Sequence, residues 1–323
     1  MPSFEERLLP DTSLIRPTVA VLIPCYNEEV AVGQVVHGFR AALPDAAIYV
    51  YDNNSRDRTC EVARAAGAIV RTEPQQGKGH VIRRMFADID ADYYVLVDGD
   101  ATYEAEAAGA LMDLMRRTGS DMVNAVRVTD RDAAYRRGHV LGNRVLTGLV
   151  TMIFGKRLSD MLSGYRVFSR RYVKSFPAMS TGFETETELT VHALQLHMPM
   201  AEMPTRYVER QPGSVSALRT YHDGIRILAF IIRLVKQERP MLFFCIVAGV
   251  LLLLGLAFGI PVIADFMRMG SVPRLPTAVL ATGFVLLSAM SVTCGLILDT
   301  VALARLEAKR LAYLALPPPL RLD

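Results

Sequence analysis

Two aspartates one residue apart, Asp98-Gly99-Asp100, directly follow an apolar run at 93–97. On a turn beyond a buried strand, such carboxylates can share a divalent cation with a diphosphate. Oxygen ligation of this kind suits Mg2+ or Mn2+, and the cation offsets charge developing on a departing nucleotide. An Asx-type turn would use the same residues without chemistry; the position after a strand favours the ligand role. Another carboxylate, Asp52, closes the run at 48–51. Arg127, Arg131, Arg136, Arg137 and Arg144 gather in one stretch that also holds His139 and Asn143. A guanidinium fork suits bidentate phosphate contact, although a solvated basic surface would look the same. Gly77-Lys78-Gly79 makes a turn at which backbone amides can approach a ligand, or a plain loop. His192 and His197 lack metal-ligand spacing and read as structural.

These residues need a scaffold, and the sequence supplies one. Short apolar runs at 19–23, 48–51, 68–71, 93–97 and 121–125 alternate with helical stretches at 28–42, 57–66, 78–88 and 104–117. Such alternation predicts βαβ units and a parallel sheet. Ligands of such sheets gather beyond the carboxyl ends of the strands, where the polar residues above fall. The G-x-G-x-x-G fingerprint is absent, because Gly77-Lys78-Gly79 continues His-Val-Ile and follows no first strand. A P-loop is absent too, since Lys78 is followed by glycine.

Composition divides the chain. Of 323 residues, 51% are hydrophobic and 21% charged, with a net charge of +3, but residues 241–300 carry only Asp265, Arg268, Arg274 and Asp299. The runs 240–264 and 275–298 contain no charge. As helices each reaches roughly 35 Å, enough to cross a hydrocarbon core of about 30 Å. Arg226, Arg233, Lys236 and Arg239 precede the pair, and Arg305, Lys309 and Arg310 follow it. This basic excess at the outer ends predicts that both termini, and with them the domain before the hairpin, are cytoplasmic. The opening residues hold Glu5, Glu6 and Asp11 and no apolar run of signal-peptide length, which agrees. A hairpin buried in a soluble core is the alternative. Arg219, Arg226 and Arg233 recur every seven residues beside Ile225, Leu228, Ile231, Ile232 and Val235. This pattern predicts an amphipathic helix lying in the membrane interface, or one packed on the globular part. The charge balance is too small for nucleic-acid binding. Cys25, Cys60, Cys245 and Cys294 are scattered, which predicts reduced thiols rather than disulfides or zinc.

Several segments together resemble glycosyltransferase family 2. Residues 21–29, VLIPCYNEE, are similar to its opening V-x-I-P-x-Y-N-E, and 51–59, YDNNSRDRT, to its V-D-D-x-S-x-D-x-T. Asp98-Gly99-Asp100 falls where the family has D-x-D. Residues 160–166, DMLSGYR, resemble the D-x-x-S-G-[FY]-R segment of the polyprenyl-phosphate (dolichol-phosphate-mannose-synthase-like) branch. Residues 210–216 sit where that branch has R-x-x-G-x-S-K. The match covers roughly 18–240.

The resemblance implies an α/β, Rossmann-like GT-A domain and sugar transfer from a nucleotide sugar to a polyprenyl phosphate on the cytoplasmic leaflet of the inner or plasma membrane. Residues 1–17 are then an extension, 18–218 the GT-A domain, 219–239 the juxtamembrane helix, 240–303 the two membrane helices (about 240–264 and 275–300) and 304–323 a cytoplasmic tail. Carried over by motif, Pro24, Tyr26, Glu28, Asp52, Asn53, Lys78, Asp98 and Gly99 bind the nucleotide sugar. Asp98 and Asp100 hold Mg2+ or Mn2+, and Asp100, Asp160 and Arg166 are the catalytic set. Arg127, Arg136, Arg137, Arg210 and Ser214 contact lipid phosphate or diphosphate. A homo-oligomer, in particular a tetramer, also follows from the resemblance.

Asn53 stands where the family commonly has a second aspartate, and an amide donates as well as accepts. The family's base preference does not carry over, and the departure from the usual mannosyl-donor pattern leans toward a UDP-sugar over GDP-mannose. Ser216-Ala217 lacks the usual lysine. A phosphate acceptor is already anionic, so positioning and charge compensation would carry the catalysis. Asp160 is open between a base, a residue orienting one, a sugar ligand and a turn cap. Of Glu184, Glu186 and Glu188, one is expected at the sugar and two at the surface or helix dipole. Two other functions compete. A processive polysaccharide synthase would carry Q-x-x-R-W, which a chain without tryptophan cannot supply. A catalytically silent membrane scaffold would have no chemical need for Asp52, Asp98, Asp100, Arg166 and Arg210 together.

Overall fold

The apolar positions of β1 (Val19–Cys25) are sealed on both sides, as a central strand requires: Val21, Leu22 and Ile23 are fully buried. The computed structural model describes residues 17–128, 148, 159–179, 184–208, 232–233 and 235–320. β1 pairs in parallel with β2 (Ala47–Asp52) on one side and β4 (Tyr93–Leu96) on the other, and β2 pairs with β3 (Ile69–Thr72). The intervening helices are α1 (Val32–Ala42), α2 (Thr59–Ala65) and α3 (Lys78–Asp88). In α1 the buried residues Val32, Val35, Val36 and Phe39 follow the i, i+3, i+4, i+7 spacing of one apolar stripe. The same spacing buries Ala108, Leu111, Met112 and Met115 of α4 (Ala107–Thr118), which stops at Gly119 in the left-handed conformation.

Beyond α4 the sheet departs from the purely parallel expectation. The strand order is β3-β2-β1-β4-β6-β5-β7, formed with β5 (Met122–Val128), β6 (Arg166–Ser169) and β7 (Met200–Arg206). β6 is inserted antiparallel between β4 and β5. Its four residues are all buried, and a strand this short that opens on arginine gives almost no periodic signal. The Ser169 side chain accepts from the Tyr172 amide and so caps α5 (Arg170–Ser175). α6 (Thr185–Gln195) leads into β7.

Packing divides the chain into two units: residues 1–218 with 309–323, and residues 219–308. The second is built on α7 (Pro240–Met269) and α8 (Leu275–Leu314), both long and apolar enough to cross a membrane. Proline opens α7 at the first helical position, where its missing N–H costs nothing. Small residues seven apart form the seam: Ala248 and Gly255 on α7, and Ala281, Ser288 and Gly295 on α8. A Cβ at Gly255 or Gly295 would lie 2.9 Å from the facing side chain. The Ser288 hydroxyl donates to the Ala248 carbonyl at 2.8 Å. The outward leucines, isoleucines and phenylalanines are largely exposed, unlike those of a hairpin buried in a soluble core.

Two boundaries differ from expectation. α8 continues well past residue 300, and residues 309–320 pack with the first unit instead of forming a separate tail. Of the juxtamembrane helix, Arg219 and Arg226 lie outside the described residues, while 232–233 and 235–238 are helical.

Candidate active site

The site lies at the carboxyl ends of β2, β1 and β4, where strand order reverses around β1. The two loops that frame it are stitched together by their own motif residues. The Asn27 amide donates to Ser55 Oγ at 2.8 Å, and the Arg56 amide returns a bond to Asn27 Oδ1 at 2.8 Å. The Glu28 amide donates to Thr59 Oγ1, the Glu29 amide to Asp57 Oδ2, and the Arg58 amide to Glu29 Oε2. Asn27 and Asn54 both take positive φ, at 54° and 65°, which asparagine tolerates best among non-glycine residues. These bonds hold Pro24, the exposed Tyr26 and Glu28 beside the end of β2. The structural work of Asp57 and Thr59 was not read from the sequence, where they stood only inside a motif.

Asp52 is 4% exposed; its Oδ2 accepts from the Ser55 amide at 3.1 Å, while Oδ1 is buried without a hydrogen bond. A buried carboxylate oxygen left open is costly unless a ligand completes it. Neighbouring Asn53 is committed differently. Its amide nitrogen donates to the Glu73 and Gln75 carbonyls at 2.9 and 2.7 Å, and its Oδ1 accepts from the Gly77 amide at 2.7 Å. Asn53 therefore fixes the loop that delivers Lys78.

Lys78 begins α3 and turns its ammonium onto two carboxylates, Asp98 Oδ1 and Glu186 Oε1, each at 2.5 Å. Burial alone would lower its pKa; the two carboxylates outweigh that and hold it above its usual range. Gly99 is required by space, since a Cβ there would lie 2.5 Å from Cys25 Sγ. Gly164 is required likewise, because a Cβ would run into the Asp98 carboxylate. Asp100 Oδ1 accepts from the Thr102 hydroxyl at 2.6 Å, and Ala101 between them is strained at φ 57°. The Cys25 thiol registers the collected charge. Burial first, then Glu28, Asp52, Asp98 and Asp100, push it well above its ordinary range.

Further along the same edge, Arg127 Nε and Nη2 donate to Asp160 Oδ2 and Oδ1 at 2.6 and 2.9 Å. Burial raises the Asp160 pKa, but the bonds and charge of Arg127 outweigh it and hold the carboxyl below the usual range. Asp160 also accepts from the Leu162 amide at 3.2 Å, so the turn-cap reading applies among those left open. Arg127 is stacked 5.5 Å from the Tyr207 ring centroid.

Arg166 requires a correction. It is 0% exposed, and its guanidinium donates to the carbonyls of Ser163 and Met161 and to Thr190 Oγ1. Among the described residues it pins the 160–165 loop and Thr190 from beneath, which is the place of a positioning residue. Arg136, Arg137, Arg210 and Ser214 lie outside the described residues, as do Arg131, His139, Asn143 and Arg144. Glu186 is the member of its trio that turns inward, and only its place in a helical first turn could have hinted at this. His192 is buried with its Nε2 3.1 Å from Ser175 Oγ and in no metal-ligating cluster among the described residues; desolvation followed by Lys309 lowers its pKa to about 3.

The donor chemistry fits a hard divalent cation. Asp98 and Asp100 offer carboxylate oxygens from one turn, and no cluster of three His, Cys, Asp or Glu occurs among the described residues. A cation held this way would take its remaining ligands from elsewhere, as Mg2+ commonly does from phosphate oxygens and water.

Residues 20–176 match the model of "Glycosyl transferase family 2". The chain is 31% identical to the glycosyltransferase AglJ of Haloferax volcanii over 299 residues, 92% of this chain and 98% of that one. It is 28% identical to the dolichyl-phosphate hexose transferase of the same organism, over 68% of this chain and 95% of that one. The fold also superimposes on crystalline glucosyl-3-phosphoglycerate synthase of Mycobacterium tuberculosis in complex with Mn2+, UDP and glucosyl-3-phosphoglycerate. That match has a TM-score of 0.57 at 22% identity, covering 68% of this chain and 79% of the other. A relative above 30% identity along nearly the whole length, together with the family match over 20–176, makes this chain a member of glycosyl transferase family 2.

Proposed function

We propose that this glycosyltransferase moves a sugar from a nucleotide sugar to a polyprenyl phosphate at the cytoplasmic face of a membrane, with inversion. One observation carries the reading: the open Asp52 Oδ1 stands on the same strand-end edge as Asp98-Gly99-Asp100, in a chain with two membrane-length apolar helices. The dolichyl-phosphate hexose transferase supports the acceptor class, and the UDP and Mn2+ of the mycobacterial complex support the donor and cation. The basic excess flanking the outer ends of the hairpin supports cytoplasmic termini.

In this reading Asp52 accepts from the base or ribose, while Pro24, Tyr26 and Glu28 line the nucleotide pocket. Asn53 acts through the loop it clamps. Asp98 and Asp100 would hold Mg2+ or Mn2+, which supplies charge compensation to the leaving diphosphate. An acceptor phosphate oxygen bonds to the anomeric carbon as the bond from that carbon to the diphosphate breaks. Nucleoside diphosphate leaves, and no proton need move. That suits Asp160, whose depressed pKa makes it a poor base. Arg127 is assigned to the acceptor phosphate, with Arg136, Arg137, Arg210 and Ser214 as the further candidates.

The test is release of free nucleotide from UDP- and GDP-sugars in detergent, with and without polyprenyl phosphate and divalent cation. Release with labelled lipid, dependent on both, is expected, UDP-sugars leading. Absence of both products with every common donor would overturn the reading.

A further inference from the structure

Three segments distant in sequence meet at the Lys78 ammonium: the first residue of α3, the turn after β4 and the first turn of α6. Glu186 lies 108 residues from Lys78, so no local constraint explains the contact. Both bonds measure 2.5 Å, with Glu186 largely buried and Asp98 the most open of the three. Lysine thus occupies Oδ1 of the carboxylate that a divalent cation would use.

Resting on the function proposed above, we infer that Lys78 is a resident countercation held in place by Glu186, and that it makes cation binding at Asp98 conditional on the diphosphate. The physics is competition. Without a nucleotide, a divalent cation at Asp98 must displace or crowd an ammonium of like charge in a partly dry site, where Coulomb terms are large. A diphosphate changes the balance, because its oxygens complete the cation's coordination and add negative charge for Lys78. An ammonium has three donors, and the Asp98 and Glu186 bonds use two. Lys78 can therefore keep Glu186 while giving a donor to the incoming oxyanion. Glu186 is a positioning residue here: it keeps the lysine from leaving with solvent when Asp98 turns to the cation.

A plain structural triad makes a different prediction, so binding separates the two. Mn2+ affinity is measured by electron paramagnetic resonance on the full chain in detergent, with and without UDP, for the wild type and for Lys78→Met, Lys78→Arg and Glu186→Gln. In the absence of UDP, Lys78→Met should bind Mn2+ about tenfold tighter than wild type, as expected on removing one adjacent like charge. The tightening that UDP produces should shrink in that variant. Lys78→Arg, which keeps the charge, should behave like wild type. Glu186→Gln should weaken UDP-free Mn2+ binding several-fold, because the lysine then falls wholly on Asp98. Unchanged or weaker Mn2+ binding by Lys78→Met without UDP would overturn the inference. If that variant does not fold, Lys78→Gln gives the same readout with a polar side chain. Failure here with intact wild-type transfer overturns only the countercation role; failure of wild-type transfer with every donor overturns the functional reading itself.

Discussion

Two buried aspartates at opposite ends of the same sheet have opposite surroundings. Asp121, at the amino end, is 0% exposed and fully answered. Arg171 grips it with Nε and Nη2 at 2.6 and 2.7 Å, Ser169 Oγ donates at 2.7 Å and Tyr313 Oη at 2.8 Å. Arg171 in turn stacks on Tyr313, 4.6 Å from the ring centroid. Asp52, at the carboxyl end, is nearly as buried, yet one oxygen has no hydrogen bond. The difference teaches how to tell structure from function in one residue type. A closed shell of donors serves the fold, whereas an open one in an otherwise sealed loop marks where a ligand belongs. Asp160 is an intermediate case, lying on the functional edge but closed by Arg127.

Mutation should separate the two ends. The largest effect is expected from Asp100→Ala, which should reduce transfer by roughly a hundredfold or more through lost cation binding, while the lost Thr102 bond costs only about 1 kcal/mol of stability. Near-normal turnover would remove its metal role. Asp52→Asn should weaken UDP binding about tenfold, as loss of a hydrogen bond to a charged group does, without loss of stability, because the Ser55 amide keeps an acceptor. Calorimetry and thermal melts on one preparation check both halves.

At the other end Asp121→Asn should cost about 3 kcal/mol of stability, since it strands a largely buried arginine. UDP affinity per folded molecule should stay at the wild-type value. A loss of UDP affinity with intact stability would reverse the assignment of the two ends.

Asp160 predicts an acid limb. Its folded pKa is below the unfolded value of about 3.9, so its contribution is fully present above that pH. The contribution disappears as pH falls through the folded value. Unfolding midpoints below about pH 4 should fall less steeply in Asp160→Asn than in wild type. The smallest effect is Tyr313→Phe, which removes one bond to Asp121 and leaves the ring for Arg171, costing about 1 kcal/mol.

Contiguous features were legible in the sequence. Asp98-Gly99-Asp100 could be placed because an apolar run immediately precedes it, and α3 was located at its observed bounds, 78–88. Arg166 misled for a physical reason: residue type gives a guanidinium its charge but not its depth, and here Met161, Ser163 and Thr190 satisfy it beneath the loop. The antiparallel β6 was hidden because a fully buried four-residue strand has no alternation to read. The segment after residue 304 looked like a tail, because one lysine and one tyrosine, Lys309 and Tyr313, carry no signal of docking. Yet Lys309 donates to Gln195, Tyr313 to Asp121, and the Leu320 carbonyl accepts from Tyr93.

The sequence by itself determined the family, the alternating strands and helices, the two apolar spans and the acidic strand ends, since each is written in neighbouring residues or a short period. Only the tertiary structure decided which charges are closed and which are open. Lys78 met Glu186, Arg127 met Asp160 and Arg171 met Asp121 across gaps that local pattern cannot bridge. A charged group acts through what surrounds it, and those surroundings are assembled only when distant segments pack.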